Sequence, residues 1–398
     1  MASEAKVNPG KLAVSAQVKK IYSIMMFIGL AIFVVGLIVN QERIWQSYLT
    51  SYFYFTSLAL GGLFFAAIQH ATNAGWSVNV RRVPEAFSSF LPIAAVAGLV
   101  LMLAGIKHLY PWLDEKIMAE DHILHKKAAY LNSGFFWVRM VVYFVAWTLF
   151  ARALVGNSLK QDVEGDKNLT WRNGRIAIGF LITFALTYSL FSVDLMMSLQ
   201  PHWFSTIFGV YCFSGLFQSS LAFMIIITVW LMKNGHLRGF VNENHLHDLG
   251  KYLFAFTVFY AYIAFSQFML IWYANLPEET EFYLHRAHSG WMGISIFLLI
   301  GKFIVPFFAL LPQRAKRNGD WLVIISGLIL VMQFVEFYWI VYPNFNDGHV
   351  VFSIWEIGPL VGFLGLFLYA VFSFLGKNNI VPIKDPRIDE SIHHHVTY

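Results

Sequence analysis

The chain has 398 residues, of which 58% are hydrophobic and only 13% charged, and its mean hydropathy is +0.58. A soluble domain carries roughly 25% charged residues, so the composition excludes an ordinary water-soluble fold and points to an integral membrane protein. The net charge of +5 does not mark a nucleic-acid binder, because the basic residues cluster in loops on one side of the apolar runs.

The N-terminal segment, residues 1–20, is polar and basic. The apolar run behind it, 21–39, is long enough to cross a bilayer. No small-x-small cleavage site precedes Asn40-Gln41-Glu42-Arg43, so the run reads as an uncleaved first helix rather than a signal peptide. Nine further runs follow at 48–72, 84–103, 132–154, 175–197, 205–231, 249–272, 290–311, 321–342 and 354–375. Each approaches or exceeds the roughly 20 residues needed to cross about 30 Å of hydrocarbon. The fold class is therefore an all-α integral membrane protein with ten transmembrane helices. A membrane domain spans 21–375 and a polar tail spans 376–398. An even number of spans puts both termini on one side. With Arg152, Arg175 and Lys251 at the span ends counted with their loops, twenty of the 28 Lys and Arg residues lie on that side and six on the other, leaving Arg139 and Lys302 deeper inside spans. This bias places both termini in the cytoplasm.

The second span carries Gly61-Gly62 and Ala66-Ala67, small surfaces suited to close helix packing. His70, near its cytoplasmic end, reads either as an interfacial histidine bonded to backbone or as a member of a proton pathway. Arg81-Arg82 and Pro84 open the third span. The longest outer loop, 104–131, has the pattern of one short amphipathic helix. Its His122-x-x-His125 pair lacks a third ligand and is a weak metal signal. In the fourth span Arg139 lies about two turns from the outer face, where it needs an anionic partner or a water path. Asp194, near the outer end of the fifth span, is at compatible depth, and the pair reads equally as structural or functional. A turn with Pro201, His202 and Trp203 leads into the sixth span. Cys212, the only cysteine, lies inside that apolar run, which excludes an intrachain disulfide and a cysteine metal cluster.

The sixth span resembles the second: YCFSGLFQSSLAF at 211–223 against YFTSLALGGLFFA at 54–66. The offset suggests a parallel internal repeat in which spans 2–5 match spans 6–9. Asp194 and Glu336 then belong to the last helix of each repeat. Lys302 lies in the eighth span, and Pro306 frees the Lys302 carbonyl four residues before it. Glu356 opens the tenth span. The tail holds His393-His394-His395, which the sequence ties to no role. Arg139, Asp194, Lys302, Glu336 and Glu356 form a buried ionisable set, with His70, His202, His285 and His288 nearer the interfaces. Such a set is a functional candidate, as a proton route or a headgroup site. A glycine-rich phosphate loop and an HExxH motif are both missing from the sequence. Only His70 is well placed to ligate a haem b, and it has no opposite number.

Three stretches, LALGGLFFAAIQHATNAGWSVNVRRVPEAF at 58–87, SVDLMMSLQPHWFSTIFGVYCFSG at 192–215 and FMLIWYANLPEETEFYLHR at 268–286, resemble the NrfD/polysulfide-reductase membrane-anchor family. Within that family the likeness is to the membrane subunits of bacterial alternative complex III, a quinol:cytochrome c (or high-potential protein) oxidoreductase. The resemblance implies two four-helix bundles, spans 2–5 and 6–9, flanked by spans 1 and 10. It implies a bacterial inner-membrane subunit of a respiratory electron-transport complex, with no redox cofactor of its own. Haem c and iron–sulfur clusters are expected in partner subunits, with menaquinol or another quinol as substrate. The expected partners are the related NrfD-like subunit ActC, the haem- and iron–sulfur-carrying subunits, membrane lipids and a terminal oxidase, and no nucleic acid. Three readings follow. The chain carries a proton-translocation path with candidates Asp194, Glu336, Glu356, Lys302, Arg139 and His70. It binds quinol directly at Asp194 and His202. Or it is a structural scaffold whose charges pair for packing. Transport of a solute is an outside reading, since no pair of broken helices stands at matching positions.

Overall fold

Apolar runs of this length satisfy their own backbone hydrogen bonds in lipid only as helices or closed barrels. The protein takes the helical solution. The structure, a computed structural model, describes residues 10–288, 290–346 and 348–396. Residues 1–9 of the N-terminal segment and 397–398 of the tail lie outside these. Among the described residues ten helices are long and apolar enough to cross a membrane, the architecture of a multi-pass membrane protein. They are α1 (Ala16–Val39), α2 (Gln41–Ala71), α3 (Val78–His108), α4 (Ser133–Glu164), α5 (Asn168–Leu199), α6 (Phe208–Lys233), α7 (Glu243–Ala274), α8 (Trp291–Leu310), α9 (Gly319–Asn344) and α10 (Ile354–Lys377). Among the described residues there is no strand, only an isolated bridge between Lys11 and Asn379.

Several helices outrun their apolar stretches, because polar caps stabilise extra turns beyond the hydrocarbon. The Asn40 side chain accepts from Arg43 N, so α2 begins at Gln41 rather than 48. Asn242 and His245 form a capping box that starts α7 at Glu243 rather than 249. At the other end of α4, Gly165 adopts a left-handed φ of 71° and closes the helix at Glu164 rather than 154.

Helices α2 and α6 are the most enclosed and stand against each other at the centre. The neighbour relations run α2–α3–α4–α5 and back to α2, then α6–α7–α8–α9 and back to α6. Helix α10 packs on α2 and α3, and α1 lies along α10. Glycine permits that last contact: a Cβ on Gly29 would strike the Gly362 backbone. Two spans contain π-helical turns, Leu101–Gly105 in α3 and Leu299–Ile304 in α8.

Leu12 N donates to Leu375 O and Ile380 N to Gly10 O, both at 3.0 Å, so the segment before α1 and the segment after α10 meet at one face. The tail is not a free appendage. Ile380, Val381, Asp385 and Ser391 are buried as it folds back under this face. On the opposite face the expected single amphipathic helix is two short ones, Glu115–Glu120 and His122–Lys127. Asp121 breaks them, its carboxylate accepting from Ile123 N and Leu124 N to cap the second. A third short helix, Pro277–Ala287, covers the space between α7 and α8.

Candidate functional site

Two buried ion pairs occupy matching helices of the proposed repeat. In the first, Arg139 Nε of α4 donates to Asp194 Oδ2 of α5 at 2.9 Å. Tyr143 donates to the same oxygen at 2.8 Å and Tyr130 to the other at 2.9 Å. The guanidinium lies 3.8 Å from the Tyr130 ring centre and 4.5 Å from that of Phe135. Asp194 has 0% exposure, and its own backbone carbonyl is taken by Ser198 Oγ.

In the second, Lys302 of α8 pairs with Glu336 of α9. Its ammonium also donates to Gln333 Oε1 at 2.7 Å and sits 3.8 Å from the Tyr260 ring centre. Glu336 additionally accepts from Gln333 Nε2 at 2.9 Å and Tyr211 OH at 2.5 Å. Lys302 lies in the π-helical turn of α8, a distortion frequent at functional sites. Pro306 cannot close its hydrogen bond to the Lys302 carbonyl. The Gln218 amide of α6 approaches that carbonyl at 3.4 Å and donates to Thr257 at 3.0 Å. Gly215 makes room, since a Cβ there would lie 2.6 Å from Gln333 Oε1.

The other candidates stand apart from these pairs. Glu356 completes a capping box at the start of α10 and takes both arms of Arg43, at 2.6 and 2.9 Å. It also accepts from Tyr342, which bonds Ser47. His202 pairs with Asp121 at 2.7 Å on the opposite face, not with Asp194. His285 lies on the exposed side of Pro277–Ala287 near Glu281, and His288 is exposed. His70 is buried near the terminal face, with Nε2 3.4 Å from the Asn173 amide, and its Nδ1 has no partner among the described residues.

The sequence reading missed a third buried cluster. It counts Arg81 and Arg82 as solvent-side topology charges, yet both have 0% exposure. Arg81 bonds Asp385 of the tail at 2.6 Å and Glu85 at 3.3 Å. Arg82 bonds Glu85 and Asp162, each at 2.7 Å, while Ser158 donates to Glu85. Burial raises the Asp385 carboxyl, but Arg81 beside it and the Arg387 N–H more than offset this and hold it below the usual carboxylate range. The spacing of Arg81 and Arg82 to Glu85, four and three residues on one helix face, was the available signal. Nothing local in the sequence points to Asp162 or Asp385. The same tail bonds through Ser391 to Trp76 O, and through His394 to Asp248 at 2.5 Å.

No family model matches the chain. A search of curated proteins finds no match either. Among the described residues no three His, Cys, Asp or Glu side chains converge as a metal site, and His122 and His125 gain no third ligand.

Proposed function

We propose that the chain is a membrane subunit of a quinol-oxidising respiratory complex of the alternative complex III type, most like its subunit ActF, and that it provides a proton path centred on Lys302 and Glu336. Haem c and iron–sulfur clusters belong to partner subunits in this reading. The termini face the cytoplasm of a bacterial inner membrane, as the lysine and arginine bias supports. The pairwise contacts of α2–α5 and α6–α9 support the two-bundle arrangement that the resemblance implies.

The carrying observation is the chemistry of the two pairs. A guanidinium stays protonated at any physiological pH, whereas a lysine ammonium gives up its proton when its surroundings change. Arg139–Asp194 is therefore a permanent ion pair that fixes α4 to α5. Lys302–Glu336 is fully buried and becomes neutral by passing one proton across a hydrogen bond. Polar groups continue from it in both directions. Toward the outer face come Tyr211, Tyr260 and Tyr283, then Gln267 and Ser205, which bond in series at 3.2 and 3.3 Å. Toward the termini come Gln218 and Thr257, then Thr228, Gln69 and His70. Gln218 Oε1, Thr228 Oγ1, both polar ends of Gln69 and His70 Nδ1 are buried with no hydrogen-bond partner among the described residues. Groups of this kind are satisfied by internal water in folded proteins, and water carries protons between them.

The test is quinol turnover by the native complex in sealed vesicles. Glu336→Gln should abolish turnover-linked proton movement while the complex still assembles and Asp194→Asn retains that movement. Unchanged proton movement in Glu336→Gln would reduce the chain to a scaffold.

One observation favours direct quinol binding as a second reading. A cavity of about 630 Å³ on the outer face is lined by Tyr130, Ser198, His202 and Trp203. His202 would accept the hydroquinone proton there. The Asp194 carboxylate is linked to this cavity through Tyr130, and its backbone carbonyl through Ser198. A quinone analogue that labels another subunit and never this cavity removes that reading.

A further inference from the structure

Arg139, Lys302, Arg81 and Arg82 are buried and each faces a carboxylate. Arg286 does not. It sits on the helix Pro277–Ala287 with 1% exposure, and no carboxylate of the described residues forms an ion pair with it. Its guanidinium donates to three backbone carbonyls, Trp339 O through Nε, Phe282 O through Nη1 and Ile340 O through Nη2, at 3.0, 2.7 and 2.8 Å. The Phe282 ring centre lies 3.5 Å away and that of Trp339 4.9 Å away. Carbonyls near the end of α9 supply only partial negative charge. Burial pushes the group down to about 9, so it remains a cation at neutral pH.

A guanidinium has five N–H donors, and three are used here. One N–H remains on each Nη, the spacing that grips two oxygens of a phosphate or carboxylate. This group lines a cavity of about 740 Å³ that runs between α7 and α8 beneath Pro277–Ala287. Tyr260, Tyr283 and Trp339 form its inner wall. Its rim carries Phe265, Phe268 and Leu299, which are exposed on the outer surfaces of α7 and α8 and face lipid in a membrane. The cavity thus opens sideways to acyl chains, with a cation at the interfacial end where phosphates lie.

We infer that this cleft is a binding site for one anionic phospholipid, its phosphate on Arg286 and an acyl chain between α7 and α8. Charge complementarity selects this occupant. A quinone head is neutral and leaves a buried cation uncompensated, and a zwitterionic lipid brings a second cation with its phosphate. The cleft shares Tyr211, Tyr260 and Tyr283 with the outer part of the proton path, but Arg286 itself makes no bond to Lys302 or Glu336.

The test is native mass spectrometry of the full chain, purified with its native partners, delipidated and titrated with phosphatidylglycerol, phosphatidylcholine of the same chains, or decylubiquinone. One phosphatidylglycerol should bind ahead of the others. Its affinity should fall about tenfold in Arg286→Gln, the loss of one charge-assisted contact. Ala264→Phe, which narrows the cleft without touching Arg286, should weaken it similarly and keeps the test valid if Arg286→Gln misfolds. Equal binding of phosphatidylcholine overturns the proposal. So does phosphatidylglycerol binding unaffected by Ala264→Phe, or decylubiquinone as the species that both variants exclude.

Discussion

Lys302→Met keeps the length and nearly the volume of the side chain but deletes its charge. Glu336, 2% exposed, is then left with two neutral donors, Gln333 Nε2 at 2.9 Å and Tyr211 OH at 2.5 Å. Gln333 Oε1 loses its donor as well. Removing one partner of a buried pair costs about 3–5 kcal/mol, and the two remaining donors place the expected loss near the lower figure, about 3 kcal/mol. Adding Glu336→Gln removes the orphaned charge, and a neutral pair at such a site is close to isoenergetic with the ionic one. The double variant should therefore be more stable than Lys302→Met alone, with a coupling of about 2–3 kcal/mol across the cycle. Equilibrium unfolding of the reconstituted chain in mixed detergent micelles measures all four states. Additive single losses would show that the two side chains do not share a proton or a charge in the folded protein, and the reasoning would fail.

Two further predictions concern packing and the tail. Gly215→Ala puts a methyl 2.6 Å from Gln333 Oε1 and 3.1 Å from Glu336 Oε2, so it should destabilise by about 1–3 kcal/mol. Gly327→Ala on α9 meets nothing within 4 Å and should be neutral or stabilising by up to about 1 kcal/mol; the same unfolding assay separates the signs. Asp385→Asn leaves the buried Arg81 guanidinium with Glu85, at 3.3 Å, as its one ion-pair partner among the described residues and should loosen the tail by about 3 kcal/mol. A carboxyl held below its free value of about 3.9 contributes stability above that value and loses it as pH falls through the lower folded one. Hydrogen exchange of residues 380–392 should thus differ between wild type and variant by a constant amount from about pH 8 to 5. The difference should shrink only below about pH 4, and a loss between pH 7 and 5 would contradict the assignment.

The ten helices were legible because a bilayer imposes one length and one composition on every span. Their ends were less so: Asn40, Asn242 and Gly165 extend helices by capping chemistry that an apolar window does not see. Arg139 and Asp194 were readable as a pair because both are charges at one depth in adjacent spans, and so was the freed carbonyl of Lys302, which follows from Pro306 alone. That Gln218 approaches this carbonyl, and that Gln333 and Tyr211 complete the Glu336 site, depends on how α6 packs on α9. The terminal-face cluster was hidden for a different reason. Arg81 and Arg82 look like topology charges until Asp385, 304 positions after Arg81, and Asp162, 80 positions after Arg82, arrive against them. In the sequence Arg286 is one of the six Lys and Arg residues on the outer side, and only its carbonyl partners, with no carboxylate bridge among the described residues, distinguish it.

The most direct measurement is infrared difference spectroscopy of the native complex as quinol turnover is started. A proton passing through Glu336 gives a carboxyl band that appears or shifts on turnover, is missing in Glu336→Gln, and persists in Asp194→Asn. Identical difference spectra in wild type and Glu336→Gln would contradict the account, because Lys302 and Glu336 would then be a fixed ion pair like Arg139 and Asp194.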